Sequence, residues 1–394
     1  MSDNARIRFD NIRITDAQRI DLDVIAKTDE GAQTYHELWF EFSQPVVLTD
    51  DAIAIALATL CGKSYSSIHL DLKPSPDTVQ HISQFASATV TTDGTRYAPD
   101  VPRQGNVLNF SGGFDSLAAL SLMPEDTKLV SMDFGGRFGR ERVFFEKFDT
   151  ITVETNLLET QLHRNSWAFM GVGAVLTGAH HRAKYQTFGS ILEAGPDNMR
   201  LTPAVADNIT FPPFAASGFS TAPYVAGLTE IGTLIVLMNY HRDHIRESLT
   251  SVASPGEEKL YRKQVLTQVV AERLGISVDL DLTPKPPKPH FAFGENFALD
   301  FLALYVGKYG GESIADDLLR DIPSEVMSAA TKLDLTFFER ANSTLFSKFP
   351  APLFGGLASR LAAAGMPFYT EKDWIEFAKV RELLAPYHPV VATA

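Results

Sequence analysis

The stretch that most constrains this chain of 394 residues runs from Asn106 to Leu120. An apolar run breaks there into the small residues SGGFDS at positions 111–116 and then continues as LAAL. This order is typical of a strand, a tight loop and a helix. Gly112 and Gly113 have no Cβ, so the backbone can approach an anion closely. Because the first N–H groups of a helix favour negative charge, we expect a phosphate at this loop.

Strand and helix patterns alternate from residue 103 to 282, which predicts an α/β domain with a doubly wound parallel sheet. Residues 1–102 predict an N-terminal β-rich α+β module, and residues 283–394 predict a C-terminal helical subdomain that begins at a proline-rich connector. Within these segments we expect a strand at 276–280 and a helix at 335–346. The three predicted domains are therefore 1–102, 103–282 and 283–394.

Composition predicts an ordinary cytoplasmic protein. The chain carries a formal net charge of −13 and has no cluster of lysine and arginine, which disfavours nucleic acid as a partner. The first residues lack the basic and apolar regions of a signal peptide, and no run is long enough to span a membrane. The one cysteine, Cys61, excludes an intrachain disulfide, and its apolar surroundings favour a buried, inert thiol.

The six residues from Ser111 to Ser116 resemble the SGGxDS signature of the PP-loop ATP pyrophosphatases. That superfamily includes GMP synthetase, asparagine synthetase B and the 7-cyano-7-deazaguanine synthases. The resemblance implies a HUP-type, adenine nucleotide alpha hydrolase-like fold for residues 103–282, with ATP and Mg²⁺ as cofactors. The alternative from the residues alone is an ordinary Gly-Gly turn.

The resemblance also assigns roles within the loop. The backbone and both serine hydroxyls would hold the pyrophosphate of ATP, Asp115 would position the loop or bind Mg²⁺, and adenine would lie near Phe110 and Met132. Asp133 has two open interpretations, a nucleotide or metal contact and a cap on the glycines that follow its strand. The predicted nucleotide-binding residues are Phe110, Ser111, Gly112, Gly113, Phe114, Asp115, Ser116, Met132 and Asp133.

Catalysis by such a site depends on placement and on cations near the phosphates. The candidate cations are Arg137, Arg140 and Arg164, and each has the open alternative of being a surface arginine. The predicted catalytic residues are Ser111, Asp115, Ser116 and Arg164.

A weaker similarity extends to the 7-cyano-7-deazaguanine synthases. Arg164-Asn165 stands where that family has an Arg-Asn pair, and Thr229-Glu230 stands at a similar helix start, although the family's lysine is not evident. The region 251–262 has none of the four cysteines that bind zinc in that family, so zinc is not expected. A loop that resembles the family's substrate loop contains the predicted substrate-binding residues Gly189, Glu193, Asp197 and Arg200.

Together these patterns predict an enzyme that uses ATP to adenylate a carboxylate or amide of a small, deazapurine-like or other acceptor and then passes the product to ammonia or an amine. Two alternatives stay open, an ATP-binding or sensing subunit without catalysis and a tRNA-modifying enzyme. A partner protein bound through the N- or C-terminal module and a homodimer are the two assemblies considered.

Overall fold

The computed structural model describes residues 5–28, 30–97, 101–209, 211–254 and 256–392. Contacts divide the chain into two compact units. The sheet unit comprises the described residues of 1–111, 125–188 and 210–222, and the helical unit comprises those of 112–124, 189–209 and 223–394. Each unit therefore combines segments that are distant in sequence. The predicted domain limits at 102 and 282 stay predictions.

Ten strands lie in the described residues, and all of them belong to one sheet in the sheet unit. They are β1 (Arg6–Thr15), β2 (Arg19–Lys27), β3 (Gln33–Phe42), β4 (Ser67–Leu70), β5 (Thr89–Thr92), β6 (Gly105–Asn109), β7 (Lys128–Asp133), β8 (Thr150–Thr155), β9 (Ala183–Thr187) and β10 (Ser220–Thr221).

The helices of the described residues are α1 (Asp50–Cys61), α2 (Pro76–Ala86), α3 (Phe114–Leu122), α4 (Gly139–Phe145), α5 (Val172–His181), α6 (Pro212–Ala216), α7 (Glu230–Tyr240), α8 (Ile245–Val252), α9 (Glu258–Leu274), α10 (Phe297–Tyr309), α11 (Glu312–Leu318), α12 (Ser324–Lys332), α13 (Ala351–Ala363), α14 (Glu371–Leu384) and α15 (Pro389–Ala392).

The sheet has the strand order β10-β9-β6-β7-β8-β3-β2-β1-β4-β5. Six of its nine strand pairings are parallel, and the three antiparallel ones involve β2 or β3. The prediction of an α/β fold with a large, mostly parallel sheet is therefore confirmed. The HUP-type assignment and the layout of subdomains stay predictions.

Strand β6 lies where the order of the strands reverses. It lies between β7 on one side and β9 on the other, and both pairings are parallel. The order of strands along the chain reverses at this point, and ligands of open α/β sheets bind beyond the carboxyl ends of strands at such a reversal. The chain leaves β6 at Asn109 and enters the predicted phosphate loop at once.

Helix α1 is buried almost all round because its sequence alternates alanine with larger aliphatic residues. Its N-cap is Thr49, whose hydroxyl accepts the N–H of Ala52, and Gly62 ends it with φ +55°. Cys61 is fully buried, and burial raises the pKa of its thiol, so the prediction of an inert core cysteine agrees with the structure. Helices α1 and α5 pack against each other within the sheet unit.

Two predictions of secondary structure were wrong in the helical unit. Residues 276–280 form no strand, because they are at most half-buried and no described strand pairs with them. Residues 335–346 form two short 3-10 turns, Thr336–Glu339 and Ser343–Phe346, in place of the expected helix. The helix lies further along, as α13, which starts with Pro352 in its first turn. Among the described residues, no helix combines the length and the apolar character needed to cross a bilayer.

Candidate active site

The entry to the loop is anchored in the sheet unit. The N–H of Phe110 donates to the carbonyl of Val130 (2.8 Å), and the hydroxyl of Ser131 donates to the carbonyl of Phe110 (2.7 Å). The ring of Phe110 is buried and packs edge-on against Phe148, with centroids 4.8 Å apart. Phe110 is therefore fixed on both its backbone and its side chain, and half-buried Ser111 follows it directly.

The glycine turn that follows is fixed in the helical unit. Gly112 has φ +79°, a left-handed conformation that glycine adopts without strain. Its carbonyl accepts hydrogen bonds from the hydroxyls of Ser248 (2.6 Å) and Ser251 (3.3 Å) on α8. Gly113 is the N-cap of α3 and has no side chain with which to cap it. The hydroxyl of Ser116 donates to the carbonyl of Gly113 (3.0 Å), which tightens the first turn.

Behind this turn lies a group of charged residues that we call the acidic cluster, formed by Asp115, Glu193, Glu230 and Lys263. The ammonium of Lys263 donates to Glu230 Oε1 at 2.5 Å and lies 5.3 Å from the ring centroid of Phe114. Glu193 Oε1 accepts the N–H of Glu230 at 2.6 Å. The cluster joins the first turns of α3 and α7 to α9, so three helices and the Glu193 loop position it.

The cluster is short of positive charge. Burial raises the pKa of Asp115 to about 6, with Lys263 opposing the shift and Glu230 adding to it. Burial likewise raises the pKa of Glu193 to about 8, although the N–H of Glu230 opposes the shift. Burial lowers the pKa of Lys263, but the charges of Glu230 and Asp115 outweigh burial and the net pKa is raised. Lys263, with a smaller contribution from Lys259 at Asp115, thus supplies the positive charge near the three carboxyl groups.

Gly189 is predicted to begin a substrate loop, and the structure shows a steric reason for having glycine at this position. A Cβ at this position would lie 2.9 Å from the backbone nitrogen of Ser116 and 3.2 Å from Asp115 Cβ. Only glycine allows the loop to approach the first turn of α3 so closely. Glu193 follows four residues later and is buried, so this loop delivers a carboxyl group to the interior of the helical unit.

The other two predicted substrate-binding residues lie in a different environment. Asp197 is exposed, and its carboxylate forms an ion pair with Arg200 three residues later at 3.0 Å. An exposed pair of this kind contributes little stability. The predicted substrate contacts of Asp197 and Arg200 therefore stay predictions, and the structure separates them in burial from Glu193.

Asp133 is buried at the end of β7 in the sheet unit. Its Oδ1 accepts the N–H of Gly135 at 2.8 Å, and its Oδ2 accepts from the guanidinium of Arg142 at 3.0 Å. The structure thus shows the cap on the following glycines that was one of two interpretations. Met132 lies next to it and is also buried. Contact of either residue with a nucleotide stays a prediction.

The three candidate arginines are placed differently. Arg164 is exposed at the end of a 3-10 turn, whereas Asn165 beside it donates to the carbonyl of Leu60 (3.1 Å) and thereby ties this segment to α1. Arg140 is half-buried in the first turn of α4. The side chain of Arg137 lies outside the described residues. A catalytic role for Arg164 stays a prediction.

Magnesium was predicted at Asp115. Among the described residues, no group of three or more histidine, cysteine, aspartate or glutamate side chains is arranged to hold a metal ion. Magnesium in nucleotide sites commonly binds one or two carboxylates together with substrate phosphates. The buried Oδ1 of Asp115, which has no hydrogen-bond partner, fits the role of one such ligand. The metal site stays a prediction that depends on this single residue.

Sequence reasoning missed Lys263, Ser248, Ser251 and Tyr369. Lys263 lies on a helix with many charges and has no local signal, and the two serines are marked only by their position in the helix that follows α7. Tyr369 lies in the connection between α13 and α14, and its hydroxyl is buried. Burial and, after it, the charges of Asp373 and Glu193 raise its pKa well above the usual value.

No family model, no curated protein and no solved structure matches this chain.

Proposed function

We propose that this protein is an ATP-dependent enzyme that adenylates a small acceptor, releases pyrophosphate and transfers the activated group to ammonia or an amine. The observation that carries the proposal is the fixed turn from Gly112 to Ser116 at the start of α3. It combines a left-handed glycine, an N-terminal helix turn and a lysine close to the first turn. The SGGFDS sequence supports the same function through its resemblance to PP-loop ATP pyrophosphatases.

The proposed reaction requires a rigid anion-binding site. Two serine hydroxyls hold the carbonyl of Gly112, which prevents that oxygen from turning toward bound phosphate. The N-terminal turn of α3 offers N–H groups and the positive end of a helix dipole. Lys263 adds a positive charge in partly buried surroundings, where charge interactions are stronger than in water.

The reaction proceeds in two balanced steps. An oxygen of the acceptor attacks the α-phosphorus of ATP, the bond to the β-phosphate oxygen breaks, and pyrophosphate leaves with the electron pair. The nitrogen of ammonia or an amine then attacks the adenylated carbon, a proton leaves the nitrogen, and the bond to AMP breaks. Magnesium, when bound, neutralises phosphate charge. The loop residues hold the phosphates in line for the first step.

The test measures pyrophosphate and AMP released from ATP with a panel of small carboxylic and deazapurine acceptors plus ammonium. A Ser111→Ala, Asp115→Ala double variant removes one loop hydroxyl and the loop carboxylate. We expect its rate to fall by about 100-fold or more, because positioned donors and charges contribute on this scale. The matched control is Ser121→Ala, Asp126→Ala, at the other end of α3 and in the following turn.

Other outcomes separate the competing functions. Full activity of the double variant would contradict the proposal. Tight ATP binding without turnover against any acceptor would favour a sensing subunit. A shift of tRNA in electrophoresis at low salt would favour a tRNA-modifying enzyme.

A further inference from the structure

An exposed tryptophan lies on the surface of the sheet unit. Trp167 begins the 3-10 turn Trp167–Gly171, which leads directly into α5. It is 54 % exposed, and Met170 on the same turn is 38 % exposed. Large apolar side chains are usually buried, although a single exposed one needs no explanation. Trp167 is not a single exposed residue of that kind, because its ring packs against three phenylalanines.

These four rings form a cluster that we call the aromatic patch: Trp167, Phe188, Phe211 and Phe214. The ring centroid of Trp167 lies 5.4 Å from that of Phe188, 4.9 Å from that of Phe211 and 6.3 Å from that of Phe214. Phe214 is buried, and its ring stacks on that of Phe188 with centroids 5.7 Å apart. Phe188 and Phe211 are half-buried. The patch therefore combines a buried ring with ring surface that is open to solvent.

The turn that carries Trp167 is fixed at both ends. The hydroxyl of Ser166 accepts the N–H of Ala168 at 3.3 Å and thereby caps the start of the turn. Gly171 ends the turn, and a Cβ at this position would lie 2.6 Å from Phe188 Cε2. Glycine thus allows the turn to pack closely on the ring of Phe188. The exposed ring is held by a rigid element, as a binding site requires.

The aromatic patch lies at the carboxyl edge of the sheet. Phe188 directly follows β9, and β9 pairs in parallel with β6, with Thr187 opposite Leu108. The side chain of Asn109, the last residue of β6, donates to the carbonyl of Thr187 at 3.1 Å. The strand order reverses between β6 and β9, and ligands of open α/β sheets bind beyond the carboxyl ends of the strands at such a reversal. Exposed rings and position therefore both indicate a ligand-binding surface.

The size of the patch favours a small ligand over a protein partner. About half of one tryptophan and parts of two phenylalanines offer on the order of 200 Å² of ring surface. A stable protein interface buries about 800 Å² on each partner, which is several times more. Aromatic side chains stack on planar bases, and such stacking tolerates different bases because every base has a π face. A planar heteroaromatic ring of purine size fits this surface.

We propose that Trp167, with Phe188 and Phe211 beside it, forms a stacking platform for a planar heteroaromatic ring of purine size. Two ligands of the proposed reaction carry such a ring, a deazapurine-like acceptor and the adenine of ATP. Adenine is expected near Phe110 and Met132, so we assign the platform to the acceptor. This assignment rests on the proposed function, whereas the binding of a ring by Trp167 does not.

The first experiment measures ring binding by isothermal titration calorimetry of the full chain with 7-deazaguanine, adenosine and ribose. Ribose is the control ligand without an aromatic ring. Trp167→Phe keeps a ring at this position, whereas Trp167→Leu keeps apolar bulk without a ring. We expect 7-deazaguanine to bind and ribose not to bind. Trp167→Leu should weaken ring binding about tenfold or more, because stacking on an aromatic side chain contributes on this scale, and Trp167→Phe should retain most of the affinity.

The matched control is Tyr35→Ala, since Tyr35 is an aromatic residue of the same unit that is 57 % exposed. It should leave ring binding unchanged. Circular dichroism and urea unfolding verify that Trp167→Leu folds, which we expect because Trp167 is largely exposed. Equal affinity of the native protein and Trp167→Leu for both rings, or no binding of either ring, would overturn the proposal. A dimer in sedimentation that Trp167→Leu dissociates, without ring binding, would overturn it in favour of contact between two copies.

A second measurement separates this proposal from the proposed function. Pyrophosphate release is followed at varied deazapurine acceptor and at varied ATP. We expect Trp167→Leu to raise the KM for the acceptor about tenfold and to leave the KM for ATP unchanged. A raised KM for ATP alone would overturn the assignment to the acceptor and assign the platform to adenine. Ring binding that depends on Trp167 without any ATP turnover contradicts the proposed function alone. Turnover with both KM values unchanged in Trp167→Leu contradicts the platform alone.

Discussion

At the scale of single residues, Glu193 and Glu230 show that two neighbouring carboxyl groups can have different hydrogen-bond partners. Both meet at the start of α7, where Glu230 is the first helical residue. Glu230 receives the ammonium of Lys263, whereas Glu193 receives only a backbone N–H and is buried. The pKa of Glu193 rises to about 8 mainly because burial penalises its charged form. The two glutamates of this cluster therefore differ in their surroundings: Glu230 is paired with a lysine, whereas the carboxyl group of Glu193 accepts a backbone N–H.

This difference predicts how stability depends on pH. The pKa of Glu193 is about 8 in the folded protein, against its ordinary value of 4.5 when unfolded. Between these values the folded state binds more protons than the unfolded state, so the free energy of unfolding falls as pH rises. We expect Glu193→Gln to be more stable than the native protein at pH 8, by on the order of 2 kcal/mol.

The measurement is urea unfolding of the ligand-free protein in steps from pH 5 to pH 8, the interval over which Glu193 with its pKa of about 8 loses stability. The variant should differ least near pH 5, and the exposed Glu312→Gln control should follow the native curve. Asp115, with its pKa raised to about 6, adds a fall of the same sign at lower pH in all three proteins. Parallel curves for Glu193→Gln and the native chain would show that Glu193 is not buried in a protonated state.

The sequence allowed part of this site to be predicted. The residues from Ser111 to Ser116 are contiguous, so their composition predicts the turn and its helix directly. Glu193 was selected by resemblance alone, and Tyr369 and Lys263 were not selected, because contacts between distant helices leave no local pattern. A lysine on a charged helix is normally solvated, and only the fold reveals that Lys263 lies beside Phe114 and Glu230.

At the scale of elements, the close approach of the Gly189 loop to α3 holds the site together. We expect Gly189→Ala to destabilise the protein by about 1–3 kcal/mol, because its Cβ would lie 2.9 Å from the nitrogen of Ser116 and backbone atoms cannot move aside easily. Gly195→Ala is the matched control from the same loop. Its Cβ would meet nothing within 4 Å, and its φ of −162° suits any residue.

Urea unfolding of both variants at one pH provides the comparison. Gly195→Ala should be neutral or slightly more stable, because alanine restricts the unfolded chain. In the enzyme assay, Gly189→Ala should also lose activity, since a shift of the first turn of α3 moves the phosphate-binding groups. Equal stability of the two variants would show that the loop at Gly189 does not approach the first turn of α3 closely.

Local sequence patterns mark some of the elements but do not identify all of them correctly. The alternation of Ile20, Leu22 and Val24 indicates strand β2, although we did not predict it. The similar alternation at 276–280 led to a wrong prediction. A strand also needs a neighbouring strand to pair with, and periodicity does not identify one. Helix α13 was not predicted, because Pro352 and two glycines weaken its helical pattern. Proline is nevertheless well tolerated in the first turn of a helix.

At the scale of the molecule, the sheet unit joins distant parts of the chain. Strand β3 pairs with β8, with Phe40 opposite Thr155 and Phe42 opposite Val153. The first 102 residues thus supply five strands to the same sheet as β6 and β7. Sequence patterns predicted strands in both regions but not this pairing, because the alternation within a strand does not name its neighbour.

This pairing makes a prediction about the chain as a whole. Deletion of residues 1–102 would leave β8 as an edge with unpaired backbone groups and would remove α1 from α5. We expect residues 103–394 to be insoluble when expressed alone and to be recovered in solution when residues 1–102 are co-expressed as a separate chain. The readouts are the soluble fraction, circular dichroism and cooperative urea unfolding. A soluble 103–394 fragment with cooperative unfolding would show that the strands of residues 1–102 do not complete the core of the sheet unit. The expected dependence on both fragments would instead mean that residues 103–282 cannot build the sheet that contains β6 by themselves.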